Sequence, residues 1–239
     1  MTVESHYGRG GLVDSLDAIA PFAEFHTFGP GATKDLADLA GITAGDEVLD
    51  AGSGIGGPLR HLVSEYGAKG TGIDLTPEFC DAAIALNERA GLDIPIHIGS
   101  VLAMPFEDAS FDVVWTQHVT MNISDKAGFY AEARRVLRPG GRLAFFDVIA
   151  GGVQPIHFPV PWAEDDSISH LVDTDGMRAL IEGAGFEVSE WHDRSEAAKG
   201  MAGGGVANPV ISNFEVKVAN HGRNLAEDRC RLLQAVCIV

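Results

Sequence analysis

Residues 47–74 read EVLDAGSGIGGPLRHLVSEYGAKGTGID, and this stretch decides how the rest of the chain is read. A short apolar run, Val48-Leu49, ends at Asp50 and meets a glycine cluster at Gly52, Gly54, Gly56 and Gly57. Leu59, Leu62, Val63 and Tyr66 follow at i, i+3, i+4, i+7, the spacing of one helix face. Gly70 and Gly72 then lead through Ile73 to Asp74. The order is strand, glycine turn, helix, second strand, and an acid at the second strand's tip.

Such a unit has the chemistry of a nucleoside site. Glycines let the backbone turn tightly and approach a ligand with no Cβ in the way. Pro58 suits the start of a helix, where its missing N–H would be unpaired anyway. The free N–H groups of the turn favour a carboxylate or phosphate, and Asp74 is placed to accept from both hydroxyls of a ribose. Gly52, Gly54 and Gly57 also satisfy the dinucleotide pattern G-x-G-x-x-G. The choice of nucleoside therefore has to come from the rest of the chain.

Outward from this unit, strands and helices alternate. Leu12, Leu16 and Ile19 give one helical face ahead of it, and Pro30 opens a second helix through Leu36, Leu39 and Ala40. Residues 22–29 between them are dense in aromatics and read either as a packing plug or as a lid over a ligand. After Asp74, Thr76 caps a helix beginning at Pro77, with Phe79, Ala83, Leu86 and Ala90 on its buried face. Ile94 to Ile98 reads as a third strand and Phe111 to Thr116 as a fourth, ending in Gln117-His118. Phe129, Ala133, Val136 and Leu137 form a helix face stopped by Pro139-Gly140-Gly141, and Arg142 to Val148 is a fifth strand. Thr174 or Asp175 caps a helix through Met177, Leu180, Ile181 and Ala184, and Phe186 to His192 is a sixth strand. Residues 195–207 read as a mobile loop, a helix follows around 211–220, and Arg231 to Val239 is an apolar last strand.

That alternation predicts a Rossmann-like, doubly wound α/β fold: a seven-stranded sheet, its last strand antiparallel, with an N-terminal helical lid. Right-handed crossovers bring Asp50, Asp74, Ser100, Gln117 and Asp147 to one edge, where open α/β sheets bind ligands. The whole chain, 1–239, reads as one domain, with 1–45 as the lid and 151–172 as a second lid inserted after the fifth strand. That insertion is too long for an ordinary connection.

Composition narrows the possible partners. The formal charge of −17 and the pI near 4.7 set the surface against a phosphate backbone, so no nucleic acid partner is expected. The densest basic cluster, Arg134-Arg135 with Arg138, falls at a helix end, where cations are favourable. No apolar run approaches the roughly 20 residues that span a bilayer, and the first twenty residues lack a signal-peptide core. No membrane partner is expected, and the location expected is cytoplasmic. Cys80, Cys230 and Cys237 form no C-x-x-C pair and read as reduced thiols. No His, Cys and acid cluster has metal spacing, so no metal is expected, and oligomeric state is not read from one acidic chain.

Several segments carry a resemblance. Val48 to Gly57, the ribose-site sequence Gly72-Ile73-Asp74-Leu75, Met104-Pro105-Phe106 with Phe111-Asp112-Val113-Val114, and Arg135 to Leu143 are similar to the motifs of class I S-adenosylmethionine (SAM) dependent methyltransferases. The resemblance runs from about Tyr7 to the last strand. Gln117 to Ile123 and Pro159 to Ala163 resemble the small-molecule branch of sarcosine/dimethylglycine and ubiquinone-pathway enzymes.

What the resemblance implies for the cofactor is specific. SAM is the methyl donor, with S-adenosylhomocysteine as product. Gly52, Ser53, Gly54 and Gly57 bring backbone against it, Asp50 stands near its amino-acid end, and Asp74 holds the ribose. Gln117 meets the methionine portion through its backbone, and the Tyr7 ring faces the sulfonium. Many relatives carry an acid where this chain has Ser100, so adenine recognition leans on Ser100, the Val101 N–H, and Leu75 and Leu102 as walls.

For chemistry, His118 follows the fourth strand at the ligand edge. Its ordinary pKa near 6.5 suits either removal of a proton or orientation of the acceptor. His26, Phe28, Met121, Asn122, Trp162 and Phe214 are candidate walls of the acceptor pocket. The acceptor is a small molecule, with nitrogen the first expectation and carbon and oxygen open. Two alternatives stand beside this reading: a nicotinamide-dependent oxidoreductase using the same glycine turn, and a SAM-binding module without turnover.

Overall fold

The computed structural model describes residues 20–24, 26–199 and 212–239. Helix α1 (Pro30–Ala40) precedes the first strand, β1 (Glu47–Ala51). Helix α2 (Gly57–Tyr66), β2 (Lys69–Asp74), α3 (Pro77–Ala90), β3 (Ile96–Ile98) and β4 (Phe111–Gln117) follow. Then come α4 (Lys126–Val136), β5 (Leu137–Ala150), α5 (Thr174–Gly183) and β6 (Glu187–Asp193). A single helical turn, α6 (Ser195–Ala198), stands before α7 (Phe214–Ala226) and β7 (Cys230–Ile238).

The seven strands form one sheet in the order β3-β2-β1-β4-β5-β7-β6. β1 pairs in parallel with both β2 and β4, so the winding direction reverses between them. β7 inserts antiparallel between β5 and β6, as the sequence predicts for the last strand. Alternation along buried strands sends side chains into two layers. Val48, Trp115, Phe146 and Val148 face one core with α1 and α2, while Leu49, Val114, Phe145 and Ile149 face the other with α4 and α5.

The structure departs from the sequence reading at several element ends. Pro139-Gly140-Gly141 is not a break before β5. It lies inside the strand, where Gly140 has φ +77° and the pairing with β4 shifts register between Phe111 and Val113. β3 loses Ile94, which turns into the core and whose carbonyl accepts from Asn87 Nδ2. Helix α5 is capped by Asp173, which accepts from the Gly176 N–H, rather than by Thr174 or Asp175. Thr76 occupies the cap position of α3 without a side-chain capping bond. Residues 195–198 of the expected loop are helical, and 200–207 lie outside the described residues, as do 1–19 of the expected N-terminal lid. Arg135 is committed to Glu132, Asp108 and the carbonyls of Met104 and Phe106, and Arg138 pairs with Asp112.

The 151–172 insertion is fastened by polar side chains that spend themselves on backbone. Lys126, only 5% exposed, donates to the carbonyls of Thr120, Ile123 and His170. Asn122 Nδ2 donates to the carbonyls of Trp162 and Ile168. From the other side, one face of α7 meets the insertion with Lys217, Asn220, His221 and Asn224. Lys217 pairs with Glu164 at 2.5 Å, Asn220 donates to the Pro159 carbonyl, and His221 lies edge-on to Trp162. Asn224 takes the N–H of His157 and donates to its carbonyl.

Lys126 is the costliest of these to remove, because one buried and two part-buried carbonyls lose a charged donor at once. Lys126→Met should lower unfolding free energy by on the order of 3 kcal/mol in a urea titration. A change below about 0.5 kcal/mol, the range of ordinary surface substitutions, would show that these carbonyls find water readily.

Candidate active site

The carboxyl ends of β1, β2 and β4 converge at the reversal point of the sheet. Asp50, one residue before the end of β1, is 2% exposed, and its Oδ2 has no hydrogen-bond partner. Burial, and secondarily the neighbouring Asp74, push its carboxyl up to about 8. Ser53 Oγ is likewise buried without a partner. Asp74, at the tip of β2, is anchored instead: Oδ2 accepts from the Gly54 N–H at 2.8 Å and Oδ1 from the Thr76 N–H at 2.9 Å. Burial raises its pKa, and those backbone bonds oppose the shift. Each oxygen keeps acceptor capacity for a further donor.

Two glycines of the turn are fixed by their surroundings. Gly52 has φ +87°, and a Cβ there would lie 2.5 Å from Val119 Cγ2, so the segment after β4 packs directly on the turn. A Cβ on Gly57 would collide with the Ala23 carbonyl, which places the 20–24 segment over the start of α2. Beyond Asp74, Leu75 is 71% exposed and Leu102 is 40% exposed, two apolar side chains left in the open at the sheet edge. Ser100 Oγ accepts from the Leu102 N–H at 3.1 Å, and Val101 turns toward the second core.

The end of β4 carries the second half of the site. Gln117 Oε1 accepts from Trp115 Nε1 at 3.0 Å. Because an indole N–H only donates, this bond fixes the amide orientation and leaves Nε2, buried and without a partner, aimed elsewhere. His118 follows with φ +54°, a left-handed backbone that a non-glycine residue adopts at a cost. Its ring stands 5.0 Å from Phe146 and 5.9 Å from His26, and its Nε2 is buried and unpartnered. The Thr33 hydroxyl donates to Glu24 Oε2 at 2.6 Å and lies 3.2 Å from both His26 Nε2 and Gln117 Oε1. Phe28 (φ +71°) stacks on Phe146 with ring centres 6.3 Å apart. Segment 26–28 thus covers the tip of β4.

The sequence expectation for His118 needs correction on one point. Burial, then the nearby His26 and His221, hold its pKa well below the ordinary value, so its imidazole is neutral at pH 7 and a weak base. Burial likewise lowers His26. Asp50, Gly52, Ser53, Gly54, Asp74, Leu75, Ser100, Leu102, Gln117 and His118 stand at the carboxyl edge where the sequence puts them. Of the pocket candidates, His26 and Phe28 face His118 and Phe146, while Trp162 faces His221 and bonds Ser169 Oγ. Met121 is 5% exposed and belongs to the first core. The Asn122 amide is already committed to carbonyls of the 151–172 insertion. Phe214 is half-buried at the start of α7, and Tyr7 lies outside the described residues. Asp147 does not reach a ligand: fully buried, it accepts from the Thr120 and Val148 N–H groups.

Sequence reading passed over Thr33, Phe146 and His221. A signal for His221 was present: residues 217, 220, 221 and 224 are all polar at helical spacing, beside an apolar strand. Phe146 gave none, being one apolar residue in an apolar strand.

Comparison with known proteins agrees with this fold. Residues 49–145 match the family model described as a methyltransferase domain. The sterol 24-C-methyltransferase ERG6B of Gibberella zeae is 31% identical over 175 residues, covering 70% of this chain and 46% of that protein. The dimethylglycine N-methyltransferase of Parasynechococcus marenigrum is 31% identical over 193 residues, covering 80% of this chain and 66% of that one. The chain spans less than two thirds of the length of either relative. Among solved structures, phosphoethanolamine N-methyltransferase 2 of Haemonchus contortus, with phosphomonomethylethanolamine and S-adenosylhomocysteine, superposes with TM-score 0.80. It is 18% identical, covering 98% of this chain and 59% of that one, a likeness of fold. Among the described residues no helix is long and apolar enough to cross a membrane. Fold, matched domain and curated relatives together make this chain a member of the class I SAM-dependent methyltransferases.

Proposed function

We propose that this chain transfers a methyl group from SAM to a small-molecule acceptor enclosed by segment 20–28 and the 151–172 insertion. The observation that carries the reading is the division of the sheet edge into two sets of buried polar atoms. Asp50 Oδ2 and Ser53 Oγ lie beside the anchored Asp74, and Gln117 Nε2 and His118 Nε2 lie beside aromatic rings. The first set suits the cofactor: Asp50 for its ammonium, the Gly52–Gly54 backbone for its carboxylate, Asp74 for its ribose. Leu75 and Leu102 would flank the adenine, with Ser100 and Val101 at its edge. SAM supplies the electrophilic methyl on a sulfonium.

The protein's own contribution would then be alignment and exclusion of water, which in favourable cases lower a barrier by about 7–11 kcal/mol. His118, neutral and rigidly seated, serves as a positioning group rather than as a strong base. Phe28 and Gly29 are consecutive residues with positive φ, at 71° and 51°, and give the covering segment a defined bend beside α1. The strongly acidic surface favours a small-molecule acceptor over nucleic acid. The direct test is a screen of candidate acceptors with tritiated SAM, locating the label in the product. SAM that binds but labels no acceptor class would favour a binding module instead.

Two outcomes follow for single residues. An ordinary aspartate has a pKa near 3.9 in the unfolded chain, whereas Asp50 in the folded chain sits at about 8. Between these values the folded state holds a proton that the unfolded state has released. Stability should therefore fall as pH rises from about 4 to 8, by on the order of 1.4 kcal/mol per unit at most. Asp50→Asn removes that slope, so urea titrations at pH 5 and pH 8 should show the mutant gaining on the wild type at pH 8 while losing S-adenosylhomocysteine affinity. Parallel pH profiles would mean the carboxyl titrates normally. For His118, the Gln variant should retain turnover to within roughly tenfold, well short of the ~10²–10⁴ loss on removing a general base. Wild-type rate should show no histidine limb between pH 6 and 8. A limb there that disappears in His118→Gln would restore the proton-removing role.

A further inference from the structure

Beside the cofactor edge, the acceptor side of the site has its own chemistry. Phe28, Phe146 and the His26 and His118 rings form an aromatic cluster at the tip of β4. Its histidines carry no charge at neutral pH. His26 and His118 are lowered by burial, and His221 behind them is brought down to about 4 by the same cause. The cations on adjoining elements are spoken for. Arg194, lying over the outer face of Phe28, pairs with Asp35 at 2.6 Å, and Lys217 pairs with Glu164. Glu24, the acid nearest His26 in this cluster, accepts the Thr33 proton. No uncommitted cation is thus offered by these groups, and their one acid, Glu24, spends Oε2 on the Thr33 hydroxyl.

Two polar atoms of the cluster lack partners, and their chemistry is not symmetric. Gln117 Nε2 can only donate, since Trp115 holds the amide oxygen. His118 Nε2 donates or accepts according to tautomer. An ammonium would set donor against donor at Gln117. A phosphate or carboxylate would bring charge into an aromatic site with no free cation. A hydroxyl satisfies both atoms in either tautomer: its oxygen accepts from Gln117 and its proton, or a second lone pair, meets His118. We infer that the acceptor is an uncharged, largely apolar molecule that presents a hydroxyl to Gln117 Nε2 and His118 Nε2. This deepens the proposed function and rests on the edge of β1 and β2 being the SAM site. The acceptor class differs from the phosphate-bearing ligand held by the Haemonchus neighbour, whose fold this chain shares.

The test uses the full chain saturated with S-adenosylhomocysteine at pH 7.5 and three probes of one shape: 2-naphthol, 2-methoxynaphthalene and 2-naphthyl phosphate. Calorimetry or fluorescence titration should give 2-naphthol about tenfold tighter binding than its methyl ether, the value of one net hydrogen bond. The phosphate should bind more weakly still. Gln117→Leu should weaken naphthol and ether alike, whereas His118→Leu should bring the two to within a factor of about two or three of each other. Equal affinity for the three probes, binding by none of them, or preference for the phosphate would overturn the inference. In each of those cases, S-adenosylhomocysteine binding in the same sample leaves the methyltransferase reading standing. Failure to bind S-adenosylhomocysteine would overturn both.

Discussion

Two carboxyl groups at neighbouring strand tips set the terms for the rest of this molecule. Asp50 and Asp74 emerge where β1 and β2 end together, and both are largely withdrawn from water. Asp74 is tolerable there because two backbone N–H groups meet it. Asp50 has an oxygen that meets no donor, and the fold accommodates it by keeping the proton. A buried acid with an open valence is a cost that packing alone has no reason to retain. It becomes intelligible if a cation arrives there, and the glycine turn that delivers Gly54 N–H to Asp74 leaves backbone room for the molecule bearing it.

The remaining elements take their places around that edge. Val119 rests on Gly52, so the loop after β4 lies directly on the glycine turn. Asp147 anchors Thr120, and Lys126 gathers the carbonyls of Thr120, Ile123 and His170. The 151–172 insertion is therefore tied to the same loop that carries His118. On its far side the polar face of α7 holds it through four separate side chains. Such polar clasps give a defined position at a modest net gain in stability, because each bond replaces one to water.

Much of this was legible in the sequence because it depends on local chemistry. Glycines between an apolar run and a helical face, followed by an acid after a second run, specify a turn and two strand tips with little help from elsewhere. The strands followed from alternation, and their shared ligand edge from crossover handedness. What was not legible depended on partners distant in sequence. The Pro-Gly-Gly segment looked like a break, yet pairing with β4 carries it within β5. Asn122 looked available to an acceptor, but the folded insertion takes both its donors. For His118 the sequence left proton removal and orientation both open, and only its burial beside His26 and His221 reveals a weaker base. The left-handed backbone at His118 and Phe28 has no sequence signature at all, since neither residue favours it.

The central claim, that an open-valenced Asp50 receives the ammonium of a SAM-type ligand, is tested most directly by proton-linked calorimetry. The unmodified chain is titrated with S-adenosylhomocysteine, and separately with NAD, at pH 7 in two buffers of different ionisation enthalpy. Saturable binding of S-adenosylhomocysteine with release of about one proton per ligand is expected, because pairing drives a carboxyl titrating near 8 to ionise. Binding with no proton release would contradict the role given to Asp50, and binding of NAD in place of S-adenosylhomocysteine would contradict the cofactor itself.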